Sequence, residues 1–281
     1  MGKGWIMMGN WYLEYEIQVN RPGLLGDIAS LLGMLRVNIT MINSVDGEQR
    51  PPSDGGIRRG LLLKAEDDAQ IARFEMIAST MDTIEIKKLR APKLSDILAV
   101  RHGRYLVKEA GNQNVFRFVR SELGILVDFM AELFKEDGHK LIGLRGMPRV
   151  GKTESVVAAS VCANKKWIFL SSTMIKQTIR KTLAGDEFSK DNIFILDGIV
   201  SRKESDERHM QLVREMMGIP SIKVVEHPDI FVQHSEYTIE DFDYIIELRT
   251  EHDQEITYEM MEKNHMMSNR GGMGGFDFFN L

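Results

Sequence analysis

The chain has 281 residues, of which 43% are hydrophobic and 27% are charged, and its formal net charge is −5. This length predicts two or three domains, and the composition excludes an intrinsically disordered chain because enough apolar material is present for packed cores. The acidic balance argues against a protein that coats nucleic acid, so nucleic acid is not expected as a partner.

The first ninety residues alternate strand and helix patterns in the order βαββαβ. Trp11–Val19 alternates apolar and polar residues as a half-buried strand does, and Leu24–Leu35 repeats apolar residues at helical spacing. Further patterns predict two strands, a helix and a last strand at Asn38–Asn43, Arg59–Ala65, Asp67–Met81 and Thr83–Leu89. An α+β domain is therefore predicted over residues 10–91, with two helices on one face of a sheet.

A helical connecting segment is predicted over residues 92–137. The boundary is placed at Arg90-Ala-Pro-Lys, because proline discourages the continuation of regular structure. Residues 94–110 are predicted to be helical, and apolar residues in Val115–Lys135 fall along one face of a second helix.

An α/β domain with a mostly parallel sheet is predicted over residues 138–265. Short apolar runs alternate there with helical patterns, at Leu141–Leu144, Trp167–Leu170, Ile193–Leu196, Ile222–Val225 and Tyr244–Leu248. Strands that are apolar on both faces are typical of a parallel sheet covered by helices on both sides. The remaining segment, residues 266–281, is rich in glycine and phenylalanine and is expected to be disordered.

The most specific motif is GMPRVGKT at residues 146–153, which fits the pattern G-x-x-x-x-G-K-T between a strand and a helix. Gly146 and Gly151 allow backbone N–H groups to converge on phosphate oxygens, beside Arg149 and at the positive end of a helix. Lys152 would reach the β- and γ-phosphates, and the Thr153 hydroxyl would bind Mg²⁺.

A second element supports the first, because the apolar strand Ile193–Leu196 ends in Asp197, a carboxylate suited to Mg²⁺. Together the two motifs resemble the P-loop NTPase superfamily across roughly residues 138–250, which implies binding of ATP or GTP with Mg²⁺. Weaker likenesses to adenylate-kinase and guanylate-kinase types lie at Leu196–Arg202 and Phe242–Leu248.

Phosphoryl chemistry also needs positive charge near the γ-phosphate and a group that orients the attacking oxygen. Arg202 is assigned the role of supplying positive charge near the γ-phosphate. Together with Lys152 and Asp197, which is placed on the metal side, it forms the predicted catalytic set. Other candidates are acidic or basic residues whose spacing does not select one of them, namely Arg149, Lys203, Arg208, Glu154, Glu204 and Asp206.

The turn NRPGLLGDIA at residues 20–29, followed by Val37-Asn-Ile, resembles the ACT domain, whose motif and βαββαβ order cover residues 10–90. The resemblance implies a homodimer and an amino-acid-like effector bound between subunits. By match, the effector residues are Asn20, Gly23, Leu24, Leu25 and Asn38. A purely dimerising domain without a ligand is the alternative.

The whole chain resembles the YmfK-like proteins of spore-forming bacilli, for example at Leu98–Tyr105 and Val225–Gln233. One cysteine, Cys162, excludes an intrachain disulfide, and no apolar run is long enough to span a membrane, so a cytoplasmic protein is expected. The sequence predicts an ACT-regulated P-loop protein that hydrolyses ATP or GTP or transfers a phosphoryl group to a small molecule. A non-catalytic nucleotide sensor or scaffold is the alternative.

Overall fold

The structure is a computed structural model that describes residues 9–45, 56–106, 108–109, 112–170, 189, 191–198 and 207–251. The chain divides into two compact units, residues 1–106 and 107–281. The predicted tail, residues 266–281, lies outside the described residues.

The described part of the first unit contains a four-stranded antiparallel sheet with strand order β2-β3-β1-β4. The elements follow the predicted order βαββαβ and are β1 Gly9–Ile17, α1 Leu24–Met34, β2 Asn38–Ser44, β3 Ile57–Ala65, α2 Asp68–Ala78 and β4 Ile84–Arg90. A third helix, α3, follows at Leu94–His102.

Two helices cover one face of this sheet. Their buried residues, which include Leu24, Ile28 and Phe74, form one apolar cluster with Leu13 and Leu61 of the strands. Each of the two helices begins at a local sequence signal, a capping residue for α2 and a glycine turn for α1. Asp67 caps α2 by accepting a hydrogen bond from Ala69 N at 3.0 Å, and Gly23 precedes α1 with a φ of +84°, which glycine adopts without strain.

The other face of the sheet carries a buried polar cluster. Glu14 of β1 is fully buried, and its Oε2 accepts hydrogen bonds from the hydroxyls of Tyr105 at 2.6 Å and Tyr12 at 2.9 Å. Lys88 Nζ lies 3.1 Å from the same carboxylate. Hydrogen bonds from Tyr105 and Lys88 hold the pKa of Glu14 below its usual value, although burial alone would raise it. The cluster joins the segment after α3 to the sheet.

The described part of the second unit contains one seven-stranded sheet with strand order β5-β6-β11-β7-β10-β9-β8. Only β5 runs antiparallel to its described neighbour. The strands are β5 Lys108–Glu109, β6 Asn112–Val119, β7 Lys140–Gly146, β8 Trp167–Leu170, β9 Ile193–Asp197, β10 Ile222–Glu226 and β11 Tyr244–Arg249. The described α-helices are α4 Leu123–Lys135, α5 Lys152–Cys162, α6 Glu207–Met217 and α7 Pro228–Gln233, and 3-10 helices lie at Arg120–Glu122 and Ile239–Asp241.

Both faces of this sheet are buried, as the apolar strands predict. On one face Leu141 belongs to a cluster with Met216 of α6 and Phe231 of α7. On the other face Phe129 of α4 packs on Phe116, with ring centroids 4.7 Å apart. The mixed α/β architecture, with one antiparallel sheet and one mostly parallel sheet, is therefore confirmed.

The predicted helix over Val115–Lys135 is wrong at its amino end. Residues 115–119 belong to strand β6, and the helix begins only at Leu123. Phe116 and Phe118 fit helical spacing, but β-branched and aromatic residues on both sides of Arg117 also fit a buried strand. Pairing with β11 and packing of Phe129 decide for the strand. Similarly, the predicted helix over residues 94–110 ends at His102, where Gly103 takes a φ of +77°.

Among the described helices, none is long and apolar enough to cross a membrane.

Candidate functional site

The glycine-rich loop, residues 146–153, joins the end of β7 to the start of α5, as predicted. A Cβ on Gly146 would lie 2.6 Å from the carbonyl oxygen of Leu248, so only glycine fits beside β11. Gly151 has a φ of +110°, and Arg149 also adopts the left-handed region with a φ of +63°. Arg149 is exposed. Close strand packing and a left-handed turn thus determine the path of the loop.

Helix α5 begins at Lys152 without a side-chain cap. The first N–H groups of a helix have no acceptors within the helix, and they carry the positive end of its dipole. The loop residue before the helix is a glycine, so no side chain stands between these groups and an incoming anion. The geometry at this helix end suits a phosphate or carboxylate.

Lys152 is buried against the loop, with 5% of its surface exposed. Its Nζ donates hydrogen bonds to the carbonyl oxygens of Gly146 and Met147, each at 3.0 Å. Burial lowers the pKa of Lys152 below its usual value, although the negative charges of Glu226, Asp197 and Glu154 oppose this effect. A cation that is largely removed from water and surrounded by carboxylates is thus placed at the loop.

Glu226, the last residue of β10, is a site residue that the sequence analysis did not identify. The Thr153 hydroxyl donates to its Oε1 at 2.5 Å, and only 6% of the Glu226 surface is exposed. Burial raises the pKa of the Glu226 carboxyl above its usual value, and Asp197 and Glu154 raise it further, against the opposing effects of Thr153 and Lys152. The buried carboxylate nearest to Thr153 is therefore on β10.

Asp197 reaches the site from β9, the strand beyond β10. In the parallel register Glu226 is paired with Leu144 of β7 on one side and with Asp197 on the other. The ends of β9 and β10 also pack closely, because a Cβ on Gly198 would lie 2.7 Å from the carbonyl oxygen of Glu226. The structure thus brings Lys152, Thr153, Glu226 and Asp197 to one edge of the sheet.

An ionic network fixes the turn that follows Glu226. Arg145 of β7 donates to both carboxylate oxygens of Asp229 in α7, at 2.8 and 2.7 Å, and to Glu247 of β11 at 3.3 Å. The backbone N–H of His227 donates to the carbonyl of Leu144 at 3.1 Å. Because both contacts connect this turn to β7, Glu226 is held in a fixed position relative to the glycine-rich loop.

Among the residues that the structure describes, no group of three or more His, Cys, Asp or Glu side chains is arranged to hold a metal ion. A Mg²⁺ ion at this edge would therefore depend on one or two carboxylates, the Thr153 hydroxyl and oxygens of a ligand. This is the usual arrangement where Mg²⁺ accompanies a substrate phosphate.

Several predicted residues cannot be placed. Arg202, Lys203, Glu204 and Asp206 lie outside the described residues, and Arg208 lies in α6 where only the backbone is described. Glu154 is exposed in the first turn of α5. The described part of the site is therefore the loop, two strand ends and the start of α5.

The five predicted effector residues of the first unit do not come together within one chain. Gly23 and Leu25 are exposed at the start of α1, next to exposed Asn20, whereas Leu24 is buried. Asn38 is exposed at the start of β2. Through β3, Asn38 is in register with Asn10, at the opposite end of β1 from Asn20. Seven residues of strand separate the two ends, which is ~20 Å.

The comparison with protein families gives one assignment. The family described as "Protein of unknown function (DUF3388)" matches residues 86–276, more than half of the chain. The chain belongs to this family. A curated relative, the "Uncharacterized protein YmfK" of Bacillus subtilis (strain 168), is 62% identical over 268 residues, which are 95% of this chain and 96% of that protein. Neither description names an activity, so the function has to be inferred from the geometry.

Two solved structures show low similarity. Prephenate dehydratase from Staphylococcus aureus subsp. aureus Mu50 is 19% identical with a TM-score of 0.23, over 30% of this chain and 31% of that chain. This chain thus spans about a third of the dehydratase. C. elegans PCH-2 is 13% identical with a TM-score of 0.26, over 95% of this chain and 81% of that chain. At these scores neither structure supports a statement about fold or function.

Proposed function

We propose that the second unit binds a nucleoside triphosphate, ATP or GTP, together with Mg²⁺ at the glycine-rich loop, and that it hydrolyses the nucleotide or transfers its phosphoryl group. The observation that carries the proposal is the placement of Lys152 and Thr153 at the uncapped start of α5, beside two carboxylates. This combination supplies an anion site and a cation site next to each other.

Each residue has a role that follows from its position. The N–H groups at the start of α5 would bind the β-phosphate, and the residue before them, Gly151, has no side chain that could cover them. The Lys152 ammonium would exchange its bonds with the loop carbonyls for phosphate oxygens. It would then neutralise charge that develops on the phosphates during transfer. Mg²⁺, when bound, supplies further charge stabilisation between the phosphates and the carboxylate side of the site.

The first unit is proposed as an ACT-like regulatory or dimerising domain of a cytoplasmic homodimer. Its βαββαβ order and its exposed Gly23 turn support this. Because Asn38 lies at the other end of the sheet from that turn, an amino-acid-like effector could contact both only between two copies of the chain. Sedimentation with and without amino acids would test this, since a monomer under both conditions would contradict it.

The nucleotide site is tested by isothermal titration of the full chain with non-hydrolysable ATP and GTP analogues and Mg²⁺. We expect saturable binding that is weakened at least about tenfold in Lys152→Ala, because charge-assisted bonds to phosphate are lost. Lys166→Ala, which removes an exposed lysine of the same unit, is the matched control and should bind normally.

Absence of binding by the folded wild type, or equal binding by Lys152→Ala, would contradict the proposal. Turnover of ATP or GTP above the Lys152→Ala background then separates the functions that the sequence left open. Turnover in water indicates hydrolysis, and turnover that requires an acceptor indicates a small-molecule kinase. Binding without turnover indicates a nucleotide sensor or scaffold.

A further inference from the structure

We propose that Glu226 is the carboxylate that holds Mg²⁺ against Thr153, with Asp197 supporting it from the neighbouring strand. This inference rests on the proposed nucleotide site and assigns a residue that the motifs do not contain. In the sheet, β10 lies between the loop strand β7 and the strand β9 that ends in Asp197.

Thr153 is the hydroxyl of the motif that suits Mg²⁺, and its Oγ1 lies 2.5 Å from Glu226 Oε1. A ligand set for Mg²⁺ needs oxygens that approach one another closely, because the ion takes oxygens at about 2.0–2.1 Å in octahedral geometry. A hydroxyl and a carboxylate that share a hydrogen bond are close enough for their oxygens to bind the same Mg²⁺ ion.

Glu226 is more than nine-tenths buried, and its described hydrogen bond comes from a neutral hydroxyl. A buried carboxylate is stabilised far better by a cation than by a neutral donor. The described cation nearby, Lys152, directs its Nζ to the Gly146 and Met147 carbonyls. The Lys152 charge thus acts on Glu226 without a described hydrogen bond between them, and Mg²⁺ beside Thr153 would add a cation in direct contact with the carboxylate.

The turn after Glu226 is fixed to β7 by the Arg145–Asp229 pair and by the His227 N–H bond to Leu144. On the other side the close approach of Gly198 fixes β9 against the Glu226 backbone. A carboxylate held from both sides needs little reorganisation when the ion binds, which favours a metal ligand over a mobile surface acid.

The test is the effect of Mg²⁺ on nucleotide affinity, measured by isothermal titration of the full chain with a non-hydrolysable triphosphate in EDTA and in excess Mg²⁺. For the wild type we expect tighter binding with Mg²⁺. In Glu226→Gln this gain should fall at least about tenfold. Even the loss of a residue that only orients a metal ligand lowers metal affinity by about 10–100-fold. Without Mg²⁺ the variant should bind as well as the wild type or better, because a negative charge near the phosphates is gone.

Glu240→Gln is the matched control. It removes an exposed carboxylate of the same unit, in the 3-10 helix Ile239–Asp241 that precedes β11. We expect it to keep the full gain from Mg²⁺. Glu226→Asp keeps the charge on a shorter side chain and should keep part of the gain. This variant shows whether the carboxylate charge, rather than the packing of the side chain, is responsible for the gain.

The outcomes are distinguishable. If the wild type binds no nucleotide, the proposed function itself fails. If binding depends on Lys152 but Glu226→Gln keeps the full gain from Mg²⁺, or shows a larger one, the role of Glu226 is overturned while the nucleotide site stands. A variant that loses affinity equally with and without Mg²⁺ also overturns it, because a structural defect would then explain the loss.

Discussion

Lys223 allows a quantitative prediction about the stability of the second unit. Its side chain is fully buried in β10, and its Nζ contacts His139 Nδ1 at 2.9 Å and the carbonyl oxygen of Ile219. Burial lowers the pKa of Lys223 from the usual 10.5 to about 8. Burial likewise lowers the pKa of His139, with the Lys223 charge as a further cause. A neutral His139 ring can then accept a hydrogen bond from Lys223 Nζ at Nδ1.

The sign follows from proton binding. Between about pH 8 and 10.5 the unfolded chain holds one more proton at Lys223 than the folded chain, so rising pH stabilises the fold. At about 1.4 kcal/mol per pKa unit, the difference between the pKa of Lys223 in the unfolded and in the folded chain corresponds to about 3 kcal/mol in the free energy of unfolding. Burial of the charged Lys223 therefore destabilises the fold fully below about pH 8, and this destabilisation disappears as the pH approaches 10.5.

Lys223→Met removes the titrating group at similar volume. We expect the free energy of unfolding of the variant, relative to the wild type, to fall by about 3 kcal/mol between pH 7 and pH 10.5. Comparing the two proteins at each pH cancels the other groups that titrate in this range. Oxidation of the buried residues Met216 and Met217 in urea, read by mass spectrometry, reports on the second unit alone.

Lys166→Met, which removes an exposed lysine of the same unit, is the control for the loss of a lysine side chain as such. Only the part of the pH dependence that this variant does not share is assigned to Lys223. A difference between Lys223→Met and the wild type that is constant from pH 7 to pH 10.5 would refute the reasoning. Lys223 would then keep its proton throughout this range in the folded protein.

Two further predictions concern the glycine-rich loop and the buried polar cluster of the first unit. Gly146→Ala should destabilise the second unit by about 1–3 kcal/mol and weaken nucleotide binding, because its Cβ would meet the Leu248 carbonyl at 2.6 Å. Gly124→Ala, at an exposed helical position with open space, should instead stabilise the unit by about 0.5–1 kcal/mol in the same urea titration. Tyr105→Phe should destabilise the first unit by about 1–3 kcal/mol, because buried Glu14 loses its 2.6 Å hydrogen bond. Faster hydrogen exchange in β1 would show this loss, and unchanged exchange would contradict it.

Most elements of the fold were predictable because their signals are local. The apolar strands of the second unit and the glycine turns before α1 and α5 follow from spacing and residue type alone. The strand β6 was not predictable in this way, because the apolar residues around Phe116 satisfy both periods. Its pairing with β11, far along the chain, decides the conformation.

The site was predictable only in part for the same reason. The loop is contiguous in sequence, and Asp197 could be found because it ends an apolar strand. Glu226 also ends an apolar strand, but the pattern does not reveal that β10 is inserted between β7 and β9. Strand order depends on contacts between distant segments, so the nearness of Glu226 to Thr153 becomes visible only in the folded chain.

The same strand order has a consequence for synthesis of the chain on the ribosome. Both neighbours of β7, namely β10 and β11, are the last two described strands of the second unit. The glycine-rich loop emerges early, but among the described strands β7 has no neighbour until residue 226 has been made and no second neighbour until residue 249. In the first unit, by contrast, the described sheet is complete at Arg90. Folding of the second unit is therefore expected to be slow and late. Its apolar strand edges stay unpaired, and accessible to chaperones, until synthesis has passed β11.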